Sequence, residues 1–273
     1  SSGRPMLSSA TMRLPPPRSR RLVTCTLALL SAVTSLLAAV PSARGIGEAI
    51  RVDVRGVVLG AAREEDEPRP SARRRIAWED RKRTSIETRL RPSRARLDDP
   101  SIFETPLLYL AGDAGFADPS EAEVVGLRRF VDFGGFVVID DAEPTRDAFD
   151  TSVRRLLQRA FPTRPLRPIP SDHTLFRSFY LLYGPAGRLR GERPLEGIER
   201  QGRMGVVYSR ADMGGAWARD NLGTWQHAVE GGDTQRELAI RLGVNLIMYA
   251  LCLDYKDDQV HAPFIMRRRG GTP

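Results

Sequence analysis

The sequence is poor in cysteine, histidine and lysine: its 273 residues include two cysteines, three histidines and two lysines. Cys25 and Cys252 are too few for a disulfide framework. No two Cys or His residues have the close spacing of a zinc motif, so a zinc site has little support. Cys252 lies within an apolar segment that is typical of a buried helix, and the Cys-His pairing of nucleophilic catalysis is therefore missing.

Positive charge is concentrated at one end of the chain. The formal net charge is +8, and residues 1–46 hold six arginines without a single Asp or Glu. The remaining sequence is close to neutral, because its arginines are interleaved with acidic residues. It has no basic stripe with interleaved aromatic residues, and this argues against nucleic acid as a partner.

Residues 1–45 have the pattern of an export signal or a membrane anchor. A basic segment precedes the uncharged stretch Leu22–Val40, which is followed by the small residues of Pro41–Gly45. The stretch is nearly long enough to span a bilayer, so a retained anchor is the alternative. Arg20 and Arg21 are compatible with the twin-arginine route. We predict a periplasmic or envelope-associated protein that meets a membrane through this segment alone.

Residues 46–260 are predicted to form one α/β domain, followed by a flexible tail at 261–273. Alternating and then apolar residues predict a first strand within 51–60. The charged, proline-bearing segment 61–75 is predicted to be a solvated loop. Residues 78–91 are predicted to hold a short helix and a strand near 86–90.

Short apolar runs bounded by turn residues predict strands that are buried on both faces. They include LLYLAGD (107–113), FVVI (136–139) and GRMGVVYS (202–209). Amphipathic or apolar patterns predict helices beginning at Pro119, over 149–161 and over 234–253. The first of these helices leads through Gly134 and Gly135 directly into the 136–139 strand, which is half of a βαβ unit.

Five blocks in a fixed order carry a resemblance to a known family. They are LLYLAGD, LRRFVDFGGFVVIDD, SDHTLFRSFY, GRMGVVYSRADMGGAW and RLGVNLIMYAL. In this order, over about 51–253, they resemble the bacterial family called domain of unknown function 4159. That family is similar to class I glutamine amidotransferase-like domains, including the trehalose-utilisation type. The resemblance implies a three-layer, flavodoxin-like sandwich with a mostly parallel sheet.

One departure from the amidotransferases bears on activity. In those enzymes the strand that resembles FVVID leads into a turn with a nucleophilic cysteine, whereas here the turn is Asp140, Asp141, Ala142 and Glu143. A carboxylate cannot replace a thiolate in forming a thioester with glutamine. We therefore expect no glutaminase activity, and whether the domain is an enzyme at all stays open.

The leading candidates for catalytic residues are Asp140, Asp141 and His173. The two carboxylates end a strand at the edge where parallel sheets bind ligands. They are candidates for a general base, for metal ligands or for substrate anchors, but capping of the following turn is the alternative role. His173 lies in a proline-flanked loop after Asp172, and the trehalose-utilisation type has a similar histidine; a structural loop residue is the alternative.

Four further residues are candidates for ligand binding. Asp113 and Asp212 each follow a predicted strand, and for both of them a role in the local turn is favoured over ligand binding. Ser209 ends the 202–209 strand and Arg203 lies near its beginning.

Three functions remain open at this point. The first is binding of a small polar ligand, including sugar-derived ones, at the carboxyl edge of the sheet. The second is a metal-assisted hydrolase that uses Asp140, Asp141 and His173. The third is a catalytically silent domain in an envelope assembly. The sequence assigns neither a cofactor nor a protein partner.

Overall fold

The computed structural model describes residues 51–269 except 64–65 and 191–192, with side chains as far as Leu251. The predicted export signal at residues 1–45 lies outside the described residues. None of the helices in the described part of the chain has the length and hydropathy needed to cross a membrane.

Seven strands form one sheet: β1 Arg55–Val58, β2 Arg94–Arg96, β3 Leu107–Gly112, β4 Phe136–Asp141, β5 Arg167–Pro168, β6 Glu196–Arg200 and β7 Arg203–Ser209. Their order across the sheet is β2-β1-β3-β4-β7-β6-β5. The first five strands in this order are parallel, whereas β6 and β5 extend the sheet in antiparallel fashion.

Helices cover both faces of the sheet: α1 Ala72–Arg83, α2 Glu121–Asp132, α3 Asp147–Ala160, α4 Met213–Trp217 and α5 Gly232–Arg269. Short 3-10 turns lie at Pro100–Glu104 and Thr174–Arg177. The core between the sheet and α1, α4 and α5 is separate from the core between the sheet and α2 and α3. This arrangement confirms the predicted α/β fold, a three-layer, flavodoxin-like sandwich.

The central strand β4 is buried on both faces, as its apolar run predicts. Val138 packs into the core beneath α1 and α5, and its neighbour Ile139 packs into the core beneath α2 and α3. Because successive side chains of a strand point to opposite faces, Asp140 and Asp141 continue this alternation at the end of the strand. The two carboxylates therefore enter different layers of the domain.

The entry to β4 is built as the local sequence predicts. Ser120 and Glu123 form a reciprocal capping box at the start of α2. Gly134, with φ of 103°, ends the connection after α2 in a conformation that favours glycine. The helix and strand are thereby joined with little intervening chain, and β4 is set beside β3 and β7.

The charged segment 61–75 differs from the solvated loop that was expected. Helix α1 begins at Ala72, and the Arg73 side chain is buried, with its guanidinium donating to the Val54 and Ser93 carbonyl oxygens. Glu67 forms an ion pair with Arg73. The high density of charged residues predicted that segment 61–75 is solvated. The structure differs because Glu67 and Arg73 neutralise each other within the protein.

Other elements also differ from the expectations. The strand expected near 86–90 is reduced to one bridge between Thr88 and Val52, and the edge strand is β2 instead. The two antiparallel strands β5 and β6 were not predicted, because the proline-rich and charged segments around them lack a clear alternation. The glycine-bearing segment ADMGGAW after β7 contains the buried helix α4.

Candidate functional site

Asp140 is buried at the end of β4 and accepts hydrogen bonds at both carboxylate oxygens. The backbone N–H of Met213 donates to Oδ1 at 2.9 Å, and that of Gly214 donates to Oδ2 at 2.7 Å. The Tyr109 hydroxyl donates to Oδ2 at 2.7 Å. The first N–H groups of a helix lack partners within that helix. Asp140 therefore caps α4 from a neighbouring strand.

Asp212 is the second buried carboxylate of this region and precedes α4. Its backbone is left-handed, with φ of 51°, and its side chain accepts from the Gly215 N–H at 2.8 Å. Arg69 donates to both carboxylate oxygens, at 3.3 and 3.1 Å, and Arg188 also pairs with Oδ2. Asp residues tolerate the left-handed region better than most. The expected turn role of Asp212 is present, together with a double ion pair.

The two buried carboxylates affect each other electrostatically. Burial and the negative charge of Asp212 raise the pKa of Asp140 to about 7, against the opposing effect of its three hydrogen-bond donors. Burial also raises the pKa of Tyr109, and the nearby Asp140 carboxylate adds to that effect. The Tyr109 phenol is therefore held as a neutral donor to Asp140.

Asp141 lies on the other face of the sheet and has different partners. Its Oδ1 accepts from the Glu143 N–H at 3.1 Å, which closes a local turn. Its Oδ2 lies 3.4 Å from both the Tyr208 hydroxyl and Arg210 Nε. Burial raises the pKa of Asp141, while the Glu143 N–H and Arg210 oppose that shift. Asp140 and Asp141 therefore have separate sets of partners on the two faces of the sheet.

Two of the remaining candidates lie at the same sheet edge. Ser209 pairs in register with Asp140 and is buried, and its Oγ accepts from the Ala211 N–H at 3.3 Å. Asp113 is exposed after β3 and lines an open crevice, described below.

His173 and Arg203 lie at the opposite edge of the sheet. The His173 ring contacts Tyr249, whose hydroxyl accepts from the Met204 N–H near the beginning of β7. Arg203 is the first residue of that strand. His173 Nδ1 accepts from the Leu175 N–H at 3.1 Å and so caps a 3-10 turn. Burial lowers its pKa. The structure therefore does not bring these two residues to Asp140.

An open crevice of about 380 Å³ lies where β1 and β3 end. Its base is apolar and includes Leu110, Phe116 and Phe149, and its walls are the loops that follow the two strands. The polar residues of its lining are Arg63, Asp66, Glu67, Arg94, Tyr109 and Asp113. Apart from Asp113, sequence reasoning missed these residues.

The crevice is connected to the buried acids through Tyr109. This residue lines the crevice, and its hydroxyl donates a hydrogen bond to Asp140. On the opposite wall, Glu67 accepts from Arg73 at 2.7 and 2.8 Å and from Arg94 at 2.8 and 3.1 Å. The walls are therefore fixed in place by ion pairs and hydrogen bonds.

A signal for the crevice was present in the sequence: both strands run into glycine at their carboxyl ends. Gly60 follows β1 with φ of 53°, and Gly112 ends β3. A Cβ atom at Gly112 would lie 2.1 Å from the Phe149 ring. Because this distance is far shorter than van der Waals contact, the position requires glycine. Glycine at this position lets the β3 backbone approach α3 at the base of the crevice.

The sequence model of the family described as Domain of unknown function (DUF4159) matches residues 57–251. The chain belongs to this family. No curated protein matches the chain. The DUF4159 match begins inside β1 and ends inside α5, so it includes the loops that form the crevice as well as the buried carboxylates. Among the residues that the structure describes, no group of three or more His, Cys, Asp and Glu side chains is arranged to hold a metal ion.

Proposed function

We propose that this DUF4159 domain binds a small polar ligand in the crevice after β1 and β3. The position of the crevice carries the proposal. From β1 the chain continues to β2 on one side and then to β3 on the other, so the direction of strand order reverses between β1 and β3. In open parallel sheets, ligands bind beyond the carboxyl ends of the strands at such a reversal.

The lining of the crevice supports a ligand with several hydroxyl groups. Apolar residues at the base offer a surface for packing, and guanidinium and carboxylate groups on the walls provide both donors and acceptors. Asp113 is exposed there, and within the described residues it has no hydrogen bond or ion pair. Sugars and sugar acids have the matching combination of hydroxyl donors and acceptors.

The geometry supports binding better than the hydrolase alternative. Asp140 and Asp141 are occupied by donors on two faces of the sheet, and His173 is far from both along the strands.

We further propose that the domain is related to class I glutamine amidotransferase-like domains, which rests on the order of the five sequence blocks. We also propose that the protein is exported, which rests on the pattern of residues 1–45.

The proposal is tested by filling the crevice. Ala114 is exposed and lines it, so Ala114→Trp places an indole in the binding volume at little cost to the fold. A panel of monosaccharides and sugar acids is screened against both proteins by ligand-observed NMR. We expect members of the panel to bind the wild type and to lose binding in Ala114→Trp.

The matched control is Ala122→Trp, which adds the same side chain at an exposed position on α2 outside the crevice. It should bind as the wild type does. If no member of the panel binds the wild type, or if Ala114→Trp binds equally well, the proposed function is wrong.

A further inference from the structure

A second groove lies outside the carboxyl edge of the sheet, between the start of α1 and the hairpin of residues 219–225. Two adjoining cavities of about 290 and 460 Å³ form it. Because the cavities share several lining residues, they are continuous. The shared residues are Ser71, Arg74, Arg219, Asp220 and Asn221.

Arginines crowd around one tryptophan beside this groove. The guanidinium carbon of Arg219 lies 3.7 Å from the centre of the Trp225 ring, that of Arg236 lies 4.2 Å away and that of Arg75 lies 5.4 Å away. Trp78 lines the groove as well and stacks with Arg75 at 4.3 Å. Stacking on an indole stabilises a cation, but it supplies no negative charge.

The nitrogen atoms of these arginines are incompletely satisfied. The Nε atoms of Arg75, Arg219 and Arg236 are buried, and none has a hydrogen-bond acceptor in the described part of the protein. Buried donors without acceptors are rare in native proteins and require a specific explanation.

The arginines differ in the partners of their other nitrogen atoms. Arg75 pairs with Glu79, and Arg236 donates to the Ala216 and His227 carbonyl oxygens. For Arg74 and Arg219, by contrast, no ion pair or hydrogen bond of the side chain is present among residues 51–251 as described. The hydrogen-bonding capacity of these two guanidinium groups is therefore unused within the described residues.

The electrostatics of the groove are also unbalanced. Burial lowers the pKa of Arg75 and of Arg236. Glu79 and Asp233 respectively oppose these shifts, and the positive charge of Arg219 adds to both. Asp220 is the acidic residue of the lining, and its carboxylate accepts from the Leu222 and Thr224 N–H groups at 2.9 and 2.8 Å. An anion in the groove would offset the mutual repulsion of the arginines.

We propose that this groove binds the carboxylate or phosphate group of a small ligand, with Arg74 and Arg219 as the binding residues. Guanidinium groups bind both oxyanions through paired, charge-assisted hydrogen bonds. Arg219 is positioned by stacking on Trp225, whereas Arg74 is exposed and free to close over the ligand. The groove and the crevice share Arg94 in their linings, but Arg74 and Arg219 do not line the crevice. Neither proposal depends on the other.

The test measures anion binding by the full-length protein. Inorganic phosphate and succinate are titrated separately by isothermal calorimetry, with sodium chloride used to hold ionic strength constant. The variants are Arg74→Gln, Arg219→Gln and the matched control Arg177→Gln. Arg177 is likewise exposed, and it lies in the 3-10 turn near the opposite sheet edge. Thermal melting without anion shows whether each variant is folded.

We expect at least one anion to bind the wild type and Arg177→Gln equally. Binding should weaken about tenfold or more in Arg219→Gln and measurably in Arg74→Gln, because each loses charge-assisted hydrogen bonds. Phosphate binding alone would assign a phosphate ligand, and succinate binding alone a carboxylate. Absence of binding by both anions, or an equal loss in all three variants, would overturn the proposal.

Discussion

The two halves of the carboxyl edge of the sheet are built in opposite ways. At β4 and β7 the edge is closed, because Asp140, Asp141 and Asp212 are buried and each accepts hydrogen bonds from the surrounding chain. At β1 and β3 the edge is open, and polar side chains face a crevice. The half with the greater number of buried acids is thus the half with the less room for a ligand.

This difference shows that a carboxylate at a strand end is a weak indicator of function unless its partners are known. Asp140 and Asp212 use their oxygens to fix α4 against the sheet, which is a structural task. Asp113 also lies at the carboxyl end of a strand, directly after β3, but it is exposed at the crevice. The satisfied carboxylates predict stability effects, whereas the exposed one predicts effects on binding.

The largest effect should come from Asp212→Ala. This change leaves Arg69, Arg188 and the Gly215 N–H without their shared acceptor. Removing one partner from a buried ion pair costs about 3–5 kcal/mol. We expect a loss of that size in the free energy of unfolding, measured with urea. Asp147→Ala is the control, since Asp147 is largely exposed in its pair with Arg210 and should cost less than about 1 kcal/mol.

A smaller loss is expected for Asp140→Asn. Both oxygens of Asp140 accept from backbone N–H groups. In Asn, an NH₂ group replaces one of these oxygens, so one backbone N–H would face another donor. An unsatisfied buried group costs about 1–3 kcal/mol. Tyr109→Phe removes one donor to the same carboxylate and should cost about 1 kcal/mol. An unchanged urea midpoint in Asp140→Asn would show that this half of the edge is not held together by the carboxylate.

Asp80 on α1 provides the reverse case, a buried carboxylate without partners. Its side chain is inaccessible, and neither oxygen has a hydrogen-bond donor in the described structure. Burial raises its pKa to about 7. Between pH 4 and 7, the folded protein therefore holds a proton that the unfolded chain has released, and stability falls as the pH rises through this range.

We expect Asp80→Asn to stabilise the protein by about 1–3 kcal/mol at pH 8, because a buried charge is removed. Around pH 4 the difference should disappear, since Asp80 is then neutral. The measurement is urea unfolding across this range, with the exposed Asp172→Asn as the control. Asp140 also contributes to the pH dependence, so Asp80→Asn should reduce the slope without abolishing it. A stabilisation that is equal at both pH values would contradict the burial argument.

The fold was largely predictable because the strands that form its centre are strongly apolar. The apolar runs of β3, β4 and β7 and the predicted helix start near Pro119 are local signals, and the structure confirms them. The antiparallel strands β5 and β6 lack such signals.

The site was much less predictable, because it depends on contacts between distant residues. Glu67 and Arg94 lie in charged segments that resemble solvated loops, and only their ion pair places them at the crevice. The sequence placed His173 beside Asp140 by analogy, yet packing against Tyr249 holds it at the other edge. The order of the strands determines which half of the edge is open, and local sequence patterns do not predict that order.

Ligand binding in the crevice is tested most directly by an amide NMR titration with a sugar or sugar acid that binds the wild type. We expect the backbone amide signals of Gly60 and Gly112, at the crevice, to shift in proportion to occupancy. The amides of Met213 and Gly214, which donate to Asp140, should stay unchanged. Shifts at Met213 and Gly214 with none at Gly60 and Gly112 would contradict binding in the crevice, and would place the ligand at the buried acids.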